Sequence, residues 1–245
     1  MIKYFSICAV LFSLFSCKKE TENYAPLTSS DYYPLEAGKY ITYNLDSTVY
    51  YRNFGKSDSV IHYQVQDRVD AQITDNLGRP AYRIIRYMRK HASESWAPAN
   101  TFIAVKADNS IEYVENNLRF IKLQSPVAQD FSWKGNSFVD TYSNYTDLKY
   151  LDDWDYLYDS VNAPLTINSV TYDSTIKVSQ RDEFLGQDPS IPGTLYAEKN
   201  YSVEKYAKGI GLIYKEFLHW EYQGVSSPSP GYTGYGVTLS IIDHN

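Results

Sequence analysis

Residues 212–222 have the sequence Leu-Ile-Tyr-Lys-Glu-Phe-Leu-His-Trp-Glu-Tyr, in which bulky apolar side chains recur with a period of two. One face of the segment carries Leu212, Tyr214, Leu218, Trp220 and Tyr222, and the other carries Lys215, His219 and Glu221. Strict alternation of this kind indicates a half-buried β-strand of an antiparallel sheet. We therefore predict a strand whose apolar face packs on the core and whose polar face meets solvent.

The same alternation recurs at residues 60–69, where Ile61, Tyr63 and Val65 share the inward face, and at residues 170–179, where Val170, Tyr172, Ile176 and Val178 share it. Turn-forming sequences separate the segments. Asp75-Asn76-Leu77-Gly78-Arg79-Pro80, Asp108-Asn109 and Asn116-Asn117 suit tight turns between strands. The predicted fold class is mainly β, a single domain with one large curved antiparallel meander sheet, half-barrel or sandwich-like, and few or no helices. Residues 147–159 fit either a helix or a strand, with a strand favoured for the second half.

Composition supports one β domain. The chain has 245 residues, of which 43% are hydrophobic, 21% are charged and 25 are tyrosines. Tyrosine favours pleated, half-buried surfaces, and a chain of this length is a normal size for one all-β domain. With 23 Lys and Arg against 29 Asp and Glu, the chain lacks the basic footprint of a nucleic-acid-binding protein. Disorder, a multispanning membrane protein and a long coiled coil are excluded on composition.

The N-terminus has the features of an export signal. Lys3 precedes an uncharged run of about twelve residues, which is too short to span a bilayer. The run ends Leu14-Phe15-Ser16-Cys17, which resembles a bacterial lipobox. We predict a lipoprotein signal peptide at 1–16, a lipidated Cys17 with a flexible tether at 17–33, and the β domain at 34–245. An ordinary signal peptide with an incidental Cys17 is the alternative.

The residues after Cys17 bear on location. Lys18-Lys19-Glu20-Thr21-Glu22 resembles the surface-export signal of Bacteroidetes lipoproteins, although Thr21 interrupts the acidic pair. The prediction is an outer-membrane protein anchored through acylated Cys17 and exposed on the cell surface. The periplasmic face of the same membrane is the alternative.

Two motifs resemble those of uncharacterised cell-envelope lipoproteins of Bacteroidetes. One is the Pro-Leu-x-x-Gly opening at Pro34–Gly38, and the other is Tyr-Ala-x-Gly-x-Gly-Leu at Tyr206–Leu212. The resemblance implies a curved antiparallel sheet, in some members a half-barrel similar to periplasmic lipoprotein carriers. It implies no catalytic residues.

The sequence contains no recognisable set of catalytic, metal-ligating or nucleotide-binding residues. None of the four histidines, His62, His91, His219 and His244, pairs with another at metal-ligand spacing, and His62 and His219 are expected in solvent. Gly209-Ile210-Gly211 lacks the third glycine and the following helix of a nucleotide loop, so a bend or bulge is favoured. We predict no catalytic residue, no metal and no cofactor.

An acidic cluster lies at Asp152-Asp153-Trp154-Asp155 and Asp159. Alternation would place Asp153, Asp155 and Asp159 together on a solvated face, which is the favoured interpretation. Calcium binding and an acid–base pair for glycoside hydrolysis are the alternatives.

Aromatic side chains offer a candidate ligand platform. Trp96, Trp133 and Trp154 could stack on the apolar faces of sugar rings if they are exposed together. The favoured alternative is that most aromatic side chains fill and rim the sheet.

Asp-Ser followed by Thr or Val occurs at four places, which gives the candidate O-glycosylation sites Ser47, Ser59, Ser160 and Ser174. The tripeptide resembles the acceptor of the Bacteroidetes O-glycosylation system, and a glycan would have to lie on the surface. Asp-Ser turns that lead into β-branched strand residues would produce the same pattern.

The favoured function is a non-enzymatic, lipid-anchored binding or accessory module of the cell envelope, with a glycan or a lipid as ligand. The first alternative is a polysaccharide hydrolase that uses carboxylates of the acidic cluster. The second is a carrier for acylated cargo, which needs an apolar hollow in the sheet.

Overall fold

The structure is a computed structural model that describes residues 26–53, 56–143, 147–228 and 230–245. The predicted signal peptide, the surface-export signal and Cys17 lie outside the described residues. All the described secondary structure lies between Ser29 and His244, so a chain that begins at residue 18 retains all of it.

Twelve strands form one sheet, and two short 3-10 helices, Ser29–Tyr32 and Lys149–Leu151, are the helical elements of the described part of the chain. The strands are β1 Tyr40–Asn53, β2 Lys56–Thr74, β3 Pro80–Arg89, β4 Ala97–Lys106, β5 Ser110–Glu115, β6 Leu118–Gln124, β7 Ser132–Lys134, β8 Asp155–Ile167, β9 Val170–Gly186, β10 Tyr196–Ala207, β11 Gly211–Gln223 and β12 Gly231–His244. The predicted mainly-β, single-domain fold class is confirmed. Residues 147–159 hold a 3-10 turn and then the start of β8.

The sheet is an antiparallel meander that curls into a nearly closed barrel. Its order is β6-β5-β4-β3-β2-β1-β12-β11-β10-β9-β8-β7, so strands adjacent in sequence are neighbours, and β1 also pairs with β12. The two free edges, β6 and β7, belong to strands that follow each other in the chain. Closure therefore goes further than a half-barrel and leaves one seam.

One backbone hydrogen bond and two side chains bridge that seam. The Ile121 amide donates to the Gly135 carbonyl at 2.8 Å, and Trp133 Nε1 donates to the Ile121 carbonyl at 2.8 Å. The Tyr158 hydroxyl donates to the Gln124 carbonyl at 2.7 Å and accepts from the Gln124 amide at 3.0 Å. These contacts satisfy backbone groups of β6 that would face solvent or another chain if the edge were open.

The segment before β1 covers one end of the barrel. Tyr32 is fully buried and its hydroxyl lies 3.1 Å from Ser174 Oγ, while the Asp31 carbonyl accepts from the Gly209 amide at 2.8 Å. The ring of Tyr33 contacts those of Tyr113 and Tyr206. The prediction of a flexible tether over 17–33 is wrong for its last residues. Ser29–Tyr32 form a 3-10 helix that contacts Ser174 and Gly209, which are distant in sequence.

From Tyr214 onward the faces of β11 are the reverse of the prediction, whereas Leu212 lines the smaller cavity as expected of an inward residue. Lys215 and Phe217 line the barrel interior and His219 is 9% exposed, whereas Trp220 packs on the outside against Phe184, Tyr50 and Tyr232. The interior is partly polar, and the outer surface carries an aromatic cluster. For this reason, hydrophobicity alone predicts the outer face of the strand to be the inner one. In β2 and β9 the predicted inward residues Val65, Ile176 and Val178 are fully buried. Other predicted inward residues lie near hairpins and are exposed: Ile61 and Val170.

Candidate functional site

The barrel interior holds two cavities, of about 70 Å³ and about 260 Å³. The smaller lies beneath the N-terminal segment and is lined by Tyr33 and Pro34. Both cavities are lined by the same five side chains: Arg86, Glu115, Lys122, Lys215 and Leu239. A layer of charged groups therefore separates the two spaces.

Away from this layer, the larger cavity is mainly aromatic and aliphatic. Its apolar walls come from strands on several sides of the barrel and include Leu45, Phe120, Trp154, Phe217 and Val237. Asn116, in the β5–β6 turn, and Tyr235, which is 44% exposed, also line it, so the cavity reaches the surface. One wall is charged and the rest of the lining is mainly apolar, with Ser47, Asn116, Gln180 and Ser202 as its polar members, which suits an amphipathic guest.

Two ion pairs anchor the charged layer with short hydrogen bonds. Arg86 binds Asp67 in a bidentate manner, with N–O distances of 2.6 and 2.7 Å. Lys122 Nζ donates to Glu204 Oε1 at 2.7 Å and links β6 to β10 across the interior. Burial disfavours the charged guanidinium, but the carboxylate of Asp67 outweighs it and raises the pKa of Arg86.

Glu204 is the most enclosed of these charges, with 1% of its surface exposed. Its Oε2 accepts from Gln180 at 2.8 Å and from the Tyr206 hydroxyl at 2.6 Å. Burial opposes ionisation, but Lys122, Lys215 and these hydrogen bonds outweigh it, so the pKa of Glu204 lies below its usual value. Glu204 is therefore a carboxylate with its acceptor sites in use.

The third pair is looser. Lys215 Nζ lies 3.6 Å from Glu115 Oε2, longer than a nitrogen–oxygen hydrogen bond. The charge of Lys215 lowers the pKa of Glu115, against the effect of burial. The side chains are 17% and 26% exposed although both lie inside the barrel, because they face the cavities. These two charges are accessible to a guest molecule.

An aromatic stack stands at the rim of the larger cavity. The Tyr150 ring lies on the His219 ring with centroids 3.8 Å apart, and its hydroxyl is 3.1 Å from that of Tyr235. His219 Nδ1 lies 2.7 Å from Asn200 Oδ1. Burial lowers the pKa of His219, against a smaller effect of Glu198. The expectation of a solvated His219 is therefore wrong.

The predicted tryptophan platform does not form. Trp133 and Trp154 are 6% and 2% exposed, and their indole N–H groups donate to the Ile121 and Tyr150 carbonyls. Trp96 is half-buried under Arg89, whose Cζ lies 4.2 Å from a ring centroid, in the β3–β4 hairpin region. Two of the three rings complete the barrel wall, because a large ring with one donor can both fill space and satisfy a backbone carbonyl.

The four serines predicted for O-glycosylation lie in strands β1, β2, β8 and β9. Ser47 is half-buried and lines the larger cavity. Ser174 Oγ donates to Asn162 Oδ1 at 2.6 Å and lies beside the buried Tyr32. Ser59 is 2.7 Å from the Tyr51 hydroxyl, and Ser160 is half-buried. Modification of Ser47, Ser59, Ser160 or Ser174 stays a prediction.

The acidic cluster pairs with lysines on the outside. Lys134 Nζ lies 2.6 Å from Asp153 and 2.8 Å from Asp155, and Lys177 pairs with Asp159. Asp153 and Asp155 are 76% and 64% exposed, as expected of a solvated face. Within the described ranges, no group of three or more His, Cys, Asp or Glu side chains is placed to hold a metal ion. Gly209-Ile210-Gly211 lies at the β10–β11 hairpin.

Sequence reasoning missed the charged layer. Lys215 alternates in phase with Ile213 and Phe217, and Glu204 in phase with Tyr206. The signal in the sequence is a charged residue among apolar residues of the same alternating face. It indicates an interior position only once the inward face of the strand is known.

Over the described part of the chain, no helix has the length and apolar character needed to cross a bilayer. No protein family model and no curated protein matches the sequence. Among solved structures, a crystal structure of a predicted lipoprotein from Parabacteroides distasonis is similar over 86% of this chain and 97% of that chain, at 12% identity and a TM-score of 0.30.

Proposed function

We propose that this protein is a lipid-anchored cell-envelope protein that binds a small, mainly apolar ligand inside its barrel, without catalysing a reaction. The observation that carries the proposal is the cavity of about 260 Å³ with aromatic and aliphatic walls. Cores of folded proteins are close-packed, and an apolar space of this size exceeds the usual void. A pocket lined mainly by apolar groups, with a few polar groups at one side, is the usual form of a small-molecule site.

The anchoring part of the proposal rests on the sequence. The short apolar run that ends at Cys17 indicates acylation, and acyl chains that enter a bilayer would hold the domain at a membrane. The residues after Cys17 favour the outer membrane and its cell-surface face. Mass spectrometry of the mature N-terminus tests this: an unmodified Cys17 would contradict it.

Of the two ligand classes expected from sequence, the geometry favours a lipid-like ligand over a glycan. Trp133 and Trp154 face the interior and leave no shared ring platform with Trp96. The apolar hollow is the feature that a ligand with an alkyl or aromatic body requires. Burial of such a body would contribute about 25 cal/mol per Å² of apolar surface.

The test is calorimetric titration of octan-1-ol into the chain from residue 18, with a matched pair of variants. Val237 lines the cavity, whereas Val60 is 44% exposed on β2. We expect binding to wild type, at least tenfold weaker binding to Val237→Phe because the larger ring occupies the cavity, and no change in Val60→Phe. Circular dichroism checks that both variants are folded.

Absence of octan-1-ol binding to the wild-type chain would overturn the proposal. Equal affinities in wild type and a folded Val237→Phe variant would also overturn it, because the ligand would then lie elsewhere.

A further inference from the structure

We propose that the ligand of the larger cavity carries an anionic group, of the size of a carboxylate, and that Lys215 Nζ binds it. This inference rests on the proposed function and adds the chemical class of the ligand and its orientation. The charged end would lie at the layer between the two cavities, and the apolar body would extend along Phe217 and Val237.

The three interior cations differ in how closely a carboxylate holds them. Arg86 is held by two hydrogen bonds of 2.6 and 2.7 Å to Asp67, and Lys122 by one of 2.7 Å to Glu204. Lys215 has its carboxylate neighbour, Glu115, at 3.6 Å. An ammonium group has three donors. Lys215 is thus the interior cation best placed to donate to a guest.

Lys215 lines both cavities, and its side chain is 17% exposed within the barrel, so its ammonium group is in contact with the space that a ligand would fill. Hydrogen bonds between charged groups are about twice as strong as neutral ones, and a surrounding of low polarity strengthens them. A neutral ligand would leave this capacity unused.

The acidic and basic side chains of the barrel interior balance each other. Asp67, Glu115 and Glu204 match Arg86, Lys122 and Lys215 in number. A bound anion would have to compete with Glu115 for Lys215, since Asp67 and Glu204 are held by their own partners. Removing the charge of Glu115 should therefore strengthen anion binding, and removing the charge of Lys215 should weaken it.

The experiment titrates octanoate, octan-1-ol and octylammonium into the chain from residue 18 at pH 7.5, by calorimetry. The variants are Lys215→Met, Glu115→Gln and the double variant, which removes both charges and so leaves neither partner unpaired. For the wild type we expect octanoate to bind about tenfold more tightly than octan-1-ol, and octylammonium more weakly than either. Lys215→Met and the double variant should abolish the preference for octanoate, and Glu115→Gln should increase it about tenfold.

Octan-1-ol is the control that separates the two proposals. If octan-1-ol does not bind the wild-type chain, the proposed function fails, and this inference, which rests on it, fails with it. If octan-1-ol binds as tightly as octanoate, or if the folded double variant retains the preference for octanoate, this inference alone fails. Melting temperatures of all variants, measured by circular dichroism, show whether a loss of binding reflects a loss of folding.

Discussion

The environment of a single side chain decides what His219 does. By alternation the residue shares a strand face with Lys215 and Glu221, yet its ring lies between Tyr150 and Asn200, and 9% of its surface is exposed. Burial lowers the pKa of His219, so the folded chain favours the neutral ring. The unfolded chain takes up this proton at higher pH than the folded chain does.

The sign of the pH dependence follows. As pH falls through about 6.5, the usual pKa of histidine, protonation favours the unfolded state, so the free energy of unfolding decreases. Replacing His219 by Phe keeps a ring against Tyr150 and removes the titrating group. We expect a shallower decrease between pH 7.5 and 5.5 than in wild type, as measured by urea unfolding. An unchanged slope in a folded variant would contradict this.

At the scale of elements, the barrel closes at the seam between β6 and β7 without a strand ladder. The Tyr158 hydroxyl binds both the amide and the carbonyl of Gln124, and one backbone hydrogen bond joins Ile121 to Gly135, but β6 and β7 are not paired strands in the sheet order. At Gln124 the Tyr158 hydroxyl thereby replaces the backbone hydrogen bonds that a neighbouring strand would provide. Tyr158→Phe should cost about 1–3 kcal/mol of stability, because two backbone groups lose their partner.

The measurement is hydrogen exchange, which locates the change. In Tyr158→Phe the Gln124 amide should exchange faster than in wild type. Tyr156→Phe is the matched control, because Tyr156 lies on the same strand and its hydroxyl donates to Asn136 instead. If Tyr156→Phe accelerates exchange at Gln124 as strongly as Tyr158→Phe does, the seam contact is not the cause.

At the scale of the whole molecule, ion pairs join opposite walls of the barrel. Lys122 and Glu204 are 82 residues apart in sequence, on β6 and β10. Lys122→Met would leave Glu204 buried without its cation, and should destabilise the fold by about 3–5 kcal/mol. Adding Glu204→Gln should recover most of that loss, because the unpaired charge is removed.

Urea unfolding measures these changes. The exposed pair Lys134–Asp153 provides the comparison, since its side chains are 50% and 76% exposed. Lys134→Met should change the free energy of unfolding by less than about 1 kcal/mol. Equal losses of unfolding free energy in Lys122→Met and Lys134→Met would show that burial does not make the Lys122–Glu204 pair more important for stability than the exposed pair.

The extent of sequence-based prediction differs between elements and site. The turns at 75–80 and 116–117 were predictable, because Gly78, Asn116 and Asn117 adopt positive φ, which Asn and Gly tolerate. Strand β11 was predictable from alternation, but its inward face was not. Both of its faces carry bulky side chains, and only the neighbouring strands decide which of them lies inside.

The sequence by itself determined an antiparallel meander rich in tyrosine, because alternation and turn chemistry are local properties of the chain. Only the tertiary structure decided that the meander closes, and that Lys215, Glu115, Lys122 and Glu204 meet inside it. These residues come from strands far apart in sequence, and their charges become a site only when β1 pairs with β12 and the barrel brings opposite walls together.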